Sequence, residues 1–161
     1  MERKKYVAQR RLMDLSRAYF SKLFAQASHY GIHPGQIPIL GFLEKNNGIS
    51  QRELAKMLGV KPSTVTISIQ RLGKNGLVEC CPDEWDKRKS CLHLTEKGQQ
   101  VNQKMNEILE MNERYMLVDF SEEEIKCLNG FLERVIYNIG EIPETIQETD
   151  EEKEYSKMKE V

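Results

Sequence analysis

The chain has 161 residues, 39% apolar and 30% charged, enough for one domain with a real core and room for a helical extension. No run approaches the ~20 apolar residues of a membrane span, and no apolar signal core follows the basic start Met1-Glu2-Arg3-Lys4-Lys5. A cytoplasmic, membrane-free protein is therefore expected, and a reducing compartment would keep its four cysteines as thiols. The net charge of −1 hides a gradient: residues 1–49 carry eight Lys/Arg against three Asp/Glu, residues 50–100 nine against six, residues 101–161 seven against sixteen. A basic front and an acidic rear suit a molecule that presents one side to a polyanion.

Residues from about Lys5 to Ser28 read as a long helix. Leu12, Leu15, Tyr19 and Leu23 form one stripe; Met13, Phe20, Phe24 and Ala27 form another beside it. Together they cover about half the circumference, more than one core requires, so one side is expected to meet a partner chain. Tyr30-Gly31 ends this helix. Pro34 suits the first turn of a second one holding Ile37, Leu40 and Leu43, with a kink expected at Pro38 and an end at Asn46-Asn47-Gly48. Ser50-Gln51-Arg52-Glu53 has capping-box spacing, stapled by Ile49 and Leu54, and opens a third helix that stops at Gly59. A fourth starts at Pro62, poorly capped by Lys61, and runs to about Asn75, where Gly76 can turn left-handed.

Leu77 to Cys81 and Ser90 to Leu94 read as short strands joined by the charged segment 82–89. After Gly98 a long helix carries Val101, Met105, Ile108, Asn112 and Tyr115. Ser121 and Glu124 box the start of the last helix, which carries Leu128, Leu132, Val135, Ile136 and Ile139. From Pro143 the apolar period disappears into an acidic tail, read as frayed helix or disorder.

Two short helices meeting at a glycine turn, followed by a charged hairpin, form a winged helix-turn-helix pattern. In the second of these helices Val65, Ile69 and Leu72 share one narrow arc, with Ser68 at its edge, and should pack inward. Ser63, Thr66, Ile67, Gln70 and Lys74 face the opposite way. Small hydroxyls allow close approach to a major groove, and Gln70 can pair with an adenine edge. Ile67 fits a thymine methyl or, equally, the neighbouring wing. Lys87, Arg88 and Lys89 fall where a wing tip would reach DNA, and a guanidinium at Arg88 suits the narrow minor groove. Asp86 would orient Arg88, and Trp85 would pack at the wing base. The expected DNA-contacting set is thus Ser63, Thr64, Thr66, Ile67 and Gln70 on the reading helix, with Arg88 in the minor groove. Ser50, Gln51, Arg52, Lys61, Arg71, Lys74, Lys87 and Lys89 complete it on phosphates.

The landmarks Gly31-Ile32-His33-Pro34-Gly35-Gln36, Ser50-Gln51-Arg52-Glu53-Leu54-Ala55, Ser63-Thr64-Val65-Thr66 with Arg71-Leu72 and Lys74-Asn75-Gly76-Leu77-Val78, and Asp83-x-x-Asp86-x-Arg88 with Leu94-Thr95-Glu96-Lys97-Gly98 resemble the MarR (multiple antibiotic resistance regulator) family over about residues 5–140. The resemblance implies a mainly α fold with a small β-hairpin wing, a winged helix-turn-helix with N- and C-terminal dimerisation helices. It implies residues 1–31 and 99–142 as dimerisation segments, 32–98 as the DNA-binding domain and 143–161 as an acidic tail. It further implies a homodimeric repressor on a pseudo-palindromic operator in double-stranded DNA, released by a small-molecule effector. Cys80 and Cys81 stand where family members often carry Arg, as does Ile67. The redox-sensing branch keeps its reactive cysteine in the first helix, where this chain has none.

Cys80, Cys81, Cys91 and His93 lie close in the hairpin, whose register, centred on the 82–89 loop, would set Cys80 roughly opposite Cys91. The inventory allows a disulfide switch or a zinc site. Lacking C-x-x-C spacing, the strand cysteines are read first as small buried hydrophobes. His29 and His33 are read as capping or packing residues at the first helix junction. No phosphate-binding glycine loop, H-E-x-x-H or nucleophile elbow occurs, so no catalytic residue, metal or cofactor is expected. A winged-helix module that docks protein instead of DNA is the rival reading.

Overall fold

The computed structural model describes residues 6–82 and 90–143. The elements run α1 (Val7–Ser28), a 3-10 turn (Pro34–Gln36), α2 (Ile37–Lys45), β1 (Ile49–Ser50), α3 (Gln51–Leu58), α4 (Pro62–Lys74), β2 (Val78–Pro82), β3 (Ser90–Leu94), α5 (Glu96–Met116) and α6 (Glu122–Gly140). The predominantly helical fold with a small winged sheet is the one the sequence predicts. The chain divides into two compact units after Arg114.

In the first unit a single core gathers Leu23 and Ala27 from α1, Leu40 and Leu43 from α2, Leu54 from α3, Val65, Ile69 and Leu72 from α4, Leu92 from β3 and Met105 from α5. Each fully buried aliphatic side chain stabilises the fold by about 1.5–3 kcal/mol. A reciprocal amide pair, Gln26 with Asn112 at 2.8 and 2.9 Å, joins α1 to α5. The side-chain amide of Asn102, fully buried on the same helix, makes no hydrogen bond among the described residues, a polar cost of about 1–3 kcal/mol.

Four features differ from the sequence expectations. Pro38 does not kink a continuous helix. The chain instead makes a 3-10 turn on Pro34 and restarts at Ile37, so that Pro38 sits in a first turn, where its missing N–H costs nothing. Ile49–Ser50 forms a strand, so the hairpin is part of a three-stranded antiparallel sheet of order β1-β3-β2. Its register sets Cys81, not Cys80, opposite Cys91, while Cys80 faces Leu92. The strands flank a seven-residue gap at 83–89 rather than the eight-residue loop expected, and this one-residue difference changes every partner.

Finally, α5 starts at Glu96, two residues before Gly98. The Thr95 N–H donates to the Leu77 carbonyl (3.1 Å), its hydroxyl donates to the Gly76 carbonyl (2.7 Å), and the same oxygen accepts from Gly98 N–H (3.0 Å). A Cβ on Gly98 would collide with that Leu77 carbonyl. The run Leu94-Thr95-Glu96-Lys97-Gly98 is therefore a clasp, in which Thr95 starts the helix and Gly98 lets its first turn lie against the backbone that leaves α4.

The second unit contains α6, opened by the expected capping box. Ser121 Oγ accepts from Glu124 N–H (3.3 Å), and the Glu124 carboxylate accepts from Ser121 N–H (2.8 Å). The Ser121 N–H, together with its hydroxyl, which also donates to this carboxylate (2.9 Å), holds the Glu124 carboxyl below its usual range. No residue of α6 is buried, and Phe131, Leu132, Val135, Ile136 and Ile139 are all exposed.

Candidate nucleic-acid interface

The candidate interface is built on α3 and α4. Ser50 caps α3 through its hydroxyl, which accepts from Glu53 N–H (3.3 Å), while Glu53 accepts from Ser50 N–H (3.0 Å). Gly59 closes α3 in the left-handed region (φ 65°), a conformation that costs glycine least. Lys61 gives α4 no side-chain cap. The first turn closes instead through Thr64 N–H on the Lys61 carbonyl (3.0 Å). Thr66 Oγ1 lies 3.1 Å from both the Pro62 carbonyl and Gln51 Oε1, so one hydroxyl ties the start of α4 to the start of α3.

The helix wheel of α4 is realised. Val65, Ile69 and Leu72 are buried, and Ser63, Thr64, Thr66, Ile67, Gln70, Arg71 and Lys74 are exposed. Ile67 is 51% exposed, an apolar side chain turned out of the core among polar neighbours. Ser50 and Gln51 are half-buried, whereas Arg52 and Lys61 are exposed. Among the described residues none of Arg52, Lys61, Arg71 and Lys74 is held in an ion pair; those seen lie on α1 and α5. Lys87, Arg88 and Lys89, with Trp85 and Asp86, lie outside the described residues.

Two residues that position α4 are missing from the sequence expectations. Gln36 is buried; its Oε1 accepts from His33 N–H (2.9 Å) and its amide donates to the Ser68 carbonyl in mid-α4 (3.3 Å). The Asn75 amide, at the C-cap of α4, donates to the Gly31 carbonyl (2.5 Å). The corner between α1 and α2 thus grips the reading helix at two points. An amide between Pro34 and Ile37 on an otherwise apolar stretch was the available signal, since a buried amide must find partners.

His33 acts as a cap: its Nδ1 accepts from Gly35 N–H (3.1 Å), and its ring meets Phe24 edge-on. His29 is exposed at the C-cap of α1. His93 Nδ1 lies 2.9 Å from Asn47 Oδ1. Among the described residues no three of His, Cys, Asp and Glu gather as a metal site. Nor are the hairpin cysteines all buried: Cys80 is exposed, Cys81 half-buried and Cys91 buried. No described helix is long and apolar enough to cross a membrane.

A MarR-family sequence profile matches residues 30–89, from the α1–α2 corner to the residue before β3. An uncharacterised HTH-type transcriptional regulator of Bacillus subtilis (strain 168), YybA, is 33% identical over 105 residues, covering 65% of this chain and 70% of that protein. A MarR protein from Peptoclostridium difficile is 30% identical with a TM-score of 0.72, over 86% of this chain and 92% of that one. The fold also matches the Staphylococcus aureus MepR–DNA complex at a TM-score of 0.72 and 20% identity, over 85% of this chain and 99% of that one. With relatives of 30% identity or more covered over at least two thirds of their own length, the chain belongs to the MarR family of transcriptional regulators.

Proposed function

We propose that the chain is a homodimeric repressor, acting in the cytoplasm by binding and not by catalysis, that occupies a pseudo-palindromic operator in double-stranded DNA. One observation carries the reading: α4 buries Val65, Ile69 and Leu72 while presenting Ser63, Thr64, Thr66, Ile67 and Gln70 outward, with cations beside them. That face can enter a major groove, with Gln70 paired to adenine and Ile67 against a thymine methyl. Arg52, Lys61, Arg71 and Lys74, with Ser50 and Gln51, hold phosphates. Lys87 and Lys89 extend this set from the wing, and Arg88 enters the minor groove.

Residues 32–98 serve as the reading head, 1–31 and 99–142 as dimerisation segments and 143–161 as an acidic tail. The dimer reading is supported by the exposed apolar faces of α1 (Met13, Leu15, Phe20, Phe24) and α6 (Phe131, Val135, Ile136, Ile139), which a second copy would cover. Release by a small molecule is the family expectation. The cleft of about 470 Å³ bounded by α2, β3 and α5, with Asn47, Gln99, Gln103 and Asn106 on its walls, has the size for one.

A salt-titrated gel shift on the duplex upstream of its own operon tests the proposal. The logarithm of affinity should fall linearly with the logarithm of salt, at a slope of about −0.9 per phosphate neutralised. Arg88→Ala should weaken binding about ten-fold or more while leaving dimer mass and helicity unchanged. A flat salt response would favour a protein-docking module, and full affinity in Arg88→Ala would remove the minor-groove assignment.

A further inference from the structure

We infer that Cys81 and Cys91 are a thiol-oxidation site: a hydroperoxide joins them in a reversible disulfide across the base of the wing, and this crosslink loosens the helix-turn-helix. The second half rests on the DNA-binding reading above; the first does not.

The sheet register carries the proposal. Cys81 and Cys91 are Cα partners on adjacent antiparallel strands, so their side chains leave the same face side by side. The Thr95 N–H donates to the Leu77 carbonyl one step before the ladder starts. Alternation from that bond makes Cys81–Cys91 a hydrogen-bonded pair and Pro82–Ser90 a non-bonded one, as a proline lacking N–H requires. The Cα atoms of a hydrogen-bonded pair stand about 5.5 Å apart, inside the 4.4–6.8 Å range of disulfides, although the Cβ atoms must draw together somewhat. A bond closed at that cost is readily reduced, which suits a switch better than a permanent staple. Cys80 points to the opposite face, opposite Leu92, and cannot take the place of Cys81.

Exposure orders the steps. The half-buried Cys81 is open to an oxidant, whereas Cys91 is only 7% exposed. The Cys81 thiolate attacks the distal peroxide oxygen and becomes a sulfenic acid as the alcohol leaves with a proton. Cys91 sulfur then attacks Cys81 sulfur, expelling water. Two electrons pass from the two sulfurs to the peroxide, and the two thiol protons end on the alcohol and the water.

The consequence runs through β3, the central strand. Cys91 is also the Cα partner of Ser50 on β1. Ser50 caps α3 with its hydroxyl, and the next residue, Gln51, meets Thr66 of α4. Drawing Cys91 toward β2 therefore pulls on the strand that starts the helix pair.

The experiment treats the full-length dimer with cumene hydroperoxide, maps peptides by mass and measures affinity for the operator duplex before and after. We expect the reduced thiols of each chain to fall from four to two and a Cys81–Cys91 peptide pair to appear, reversed by dithiothreitol. Operator affinity should drop about five- to ten-fold, the scale of one lost helix cap. Both changes should vanish in Cys81→Ser, which leaves the buried Cys91 in place, and persist in a Cys80→Ser, Cys127→Ser double variant. Sulfinic acid without a crosslink, or a crosslink through Cys80 or between chains, overturns the site. A Cys81–Cys91 bond with unchanged affinity overturns the switch. Failure of the reduced protein to bind DNA would sink the functional reading instead, and the disulfide would still stand or fall on its mass.

Discussion

Helices α4 and α6 are both amphipathic, yet they use their apolar stripes in opposite ways. In α4 the stripe of Val65, Ile69 and Leu72 is buried within one chain, and the exposed face is polar and cationic. In α6 nothing is buried, and the exposed face holds Phe131, Val135, Ile136 and Ile139, with Ile136 69% exposed. A helix with a finished core can offer its polar side to a ligand. A helix without one must obtain its core from elsewhere, and here a second copy of the chain is the proposed source.

The contrast can be broken first at its strongest point. Leu72→Ala removes a fully buried side chain and should cost about 3 kcal/mol of stability, read by urea denaturation. If it cost as little as a surface change, α4 would not be anchored as described. Ile136→Glu should leave the fold of one protomer untouched but weaken dimerisation by about 2 kcal/mol, roughly a thirty-fold rise in the dissociation constant by sedimentation. Unchanged mass at every concentration would show that α6 is not the dimer face.

The smallest effect concerns the start of α6. The Glu124 carboxyl is held below its usual range by Ser121, so its contribution is complete above the unfolded carboxylate pKa of about 4.3. It is lost as pH falls through the lower, folded value. Helicity should therefore decline more in wild type than in Glu124→Gln between about pH 5 and pH 3, and identical curves would show that the cap contributes nothing.

Much of the reading head was legible because its signals are local. Ser50 with Glu53, Gly59, Pro62 and Gly76 mark boundaries through backbone chemistry that acts within a few residues. Spacing alone assigned the inward arc of α4. The register of the hairpin was less accessible. An error of one residue in where β2 ends exchanges Cys80 for Cys81 opposite Cys91, because side chains alternate with a period of two. β1 was missed for a related reason: two residues of strand carry no pattern of their own and exist only because Leu92 and Cys91 lie alongside.

By itself the sequence determined the order of the helices, the capped start of α3, the outward residues of α4 and the family. Each depends on near neighbours along the chain or on a motif of fixed spacing. Only the tertiary structure decided that Gln36 and Asn75 grip α4, that Gly98 must lack a side chain beneath the Leu77 carbonyl, and which two thiols share a face. Those facts are meetings between residues far apart in the chain, and packing brings them together.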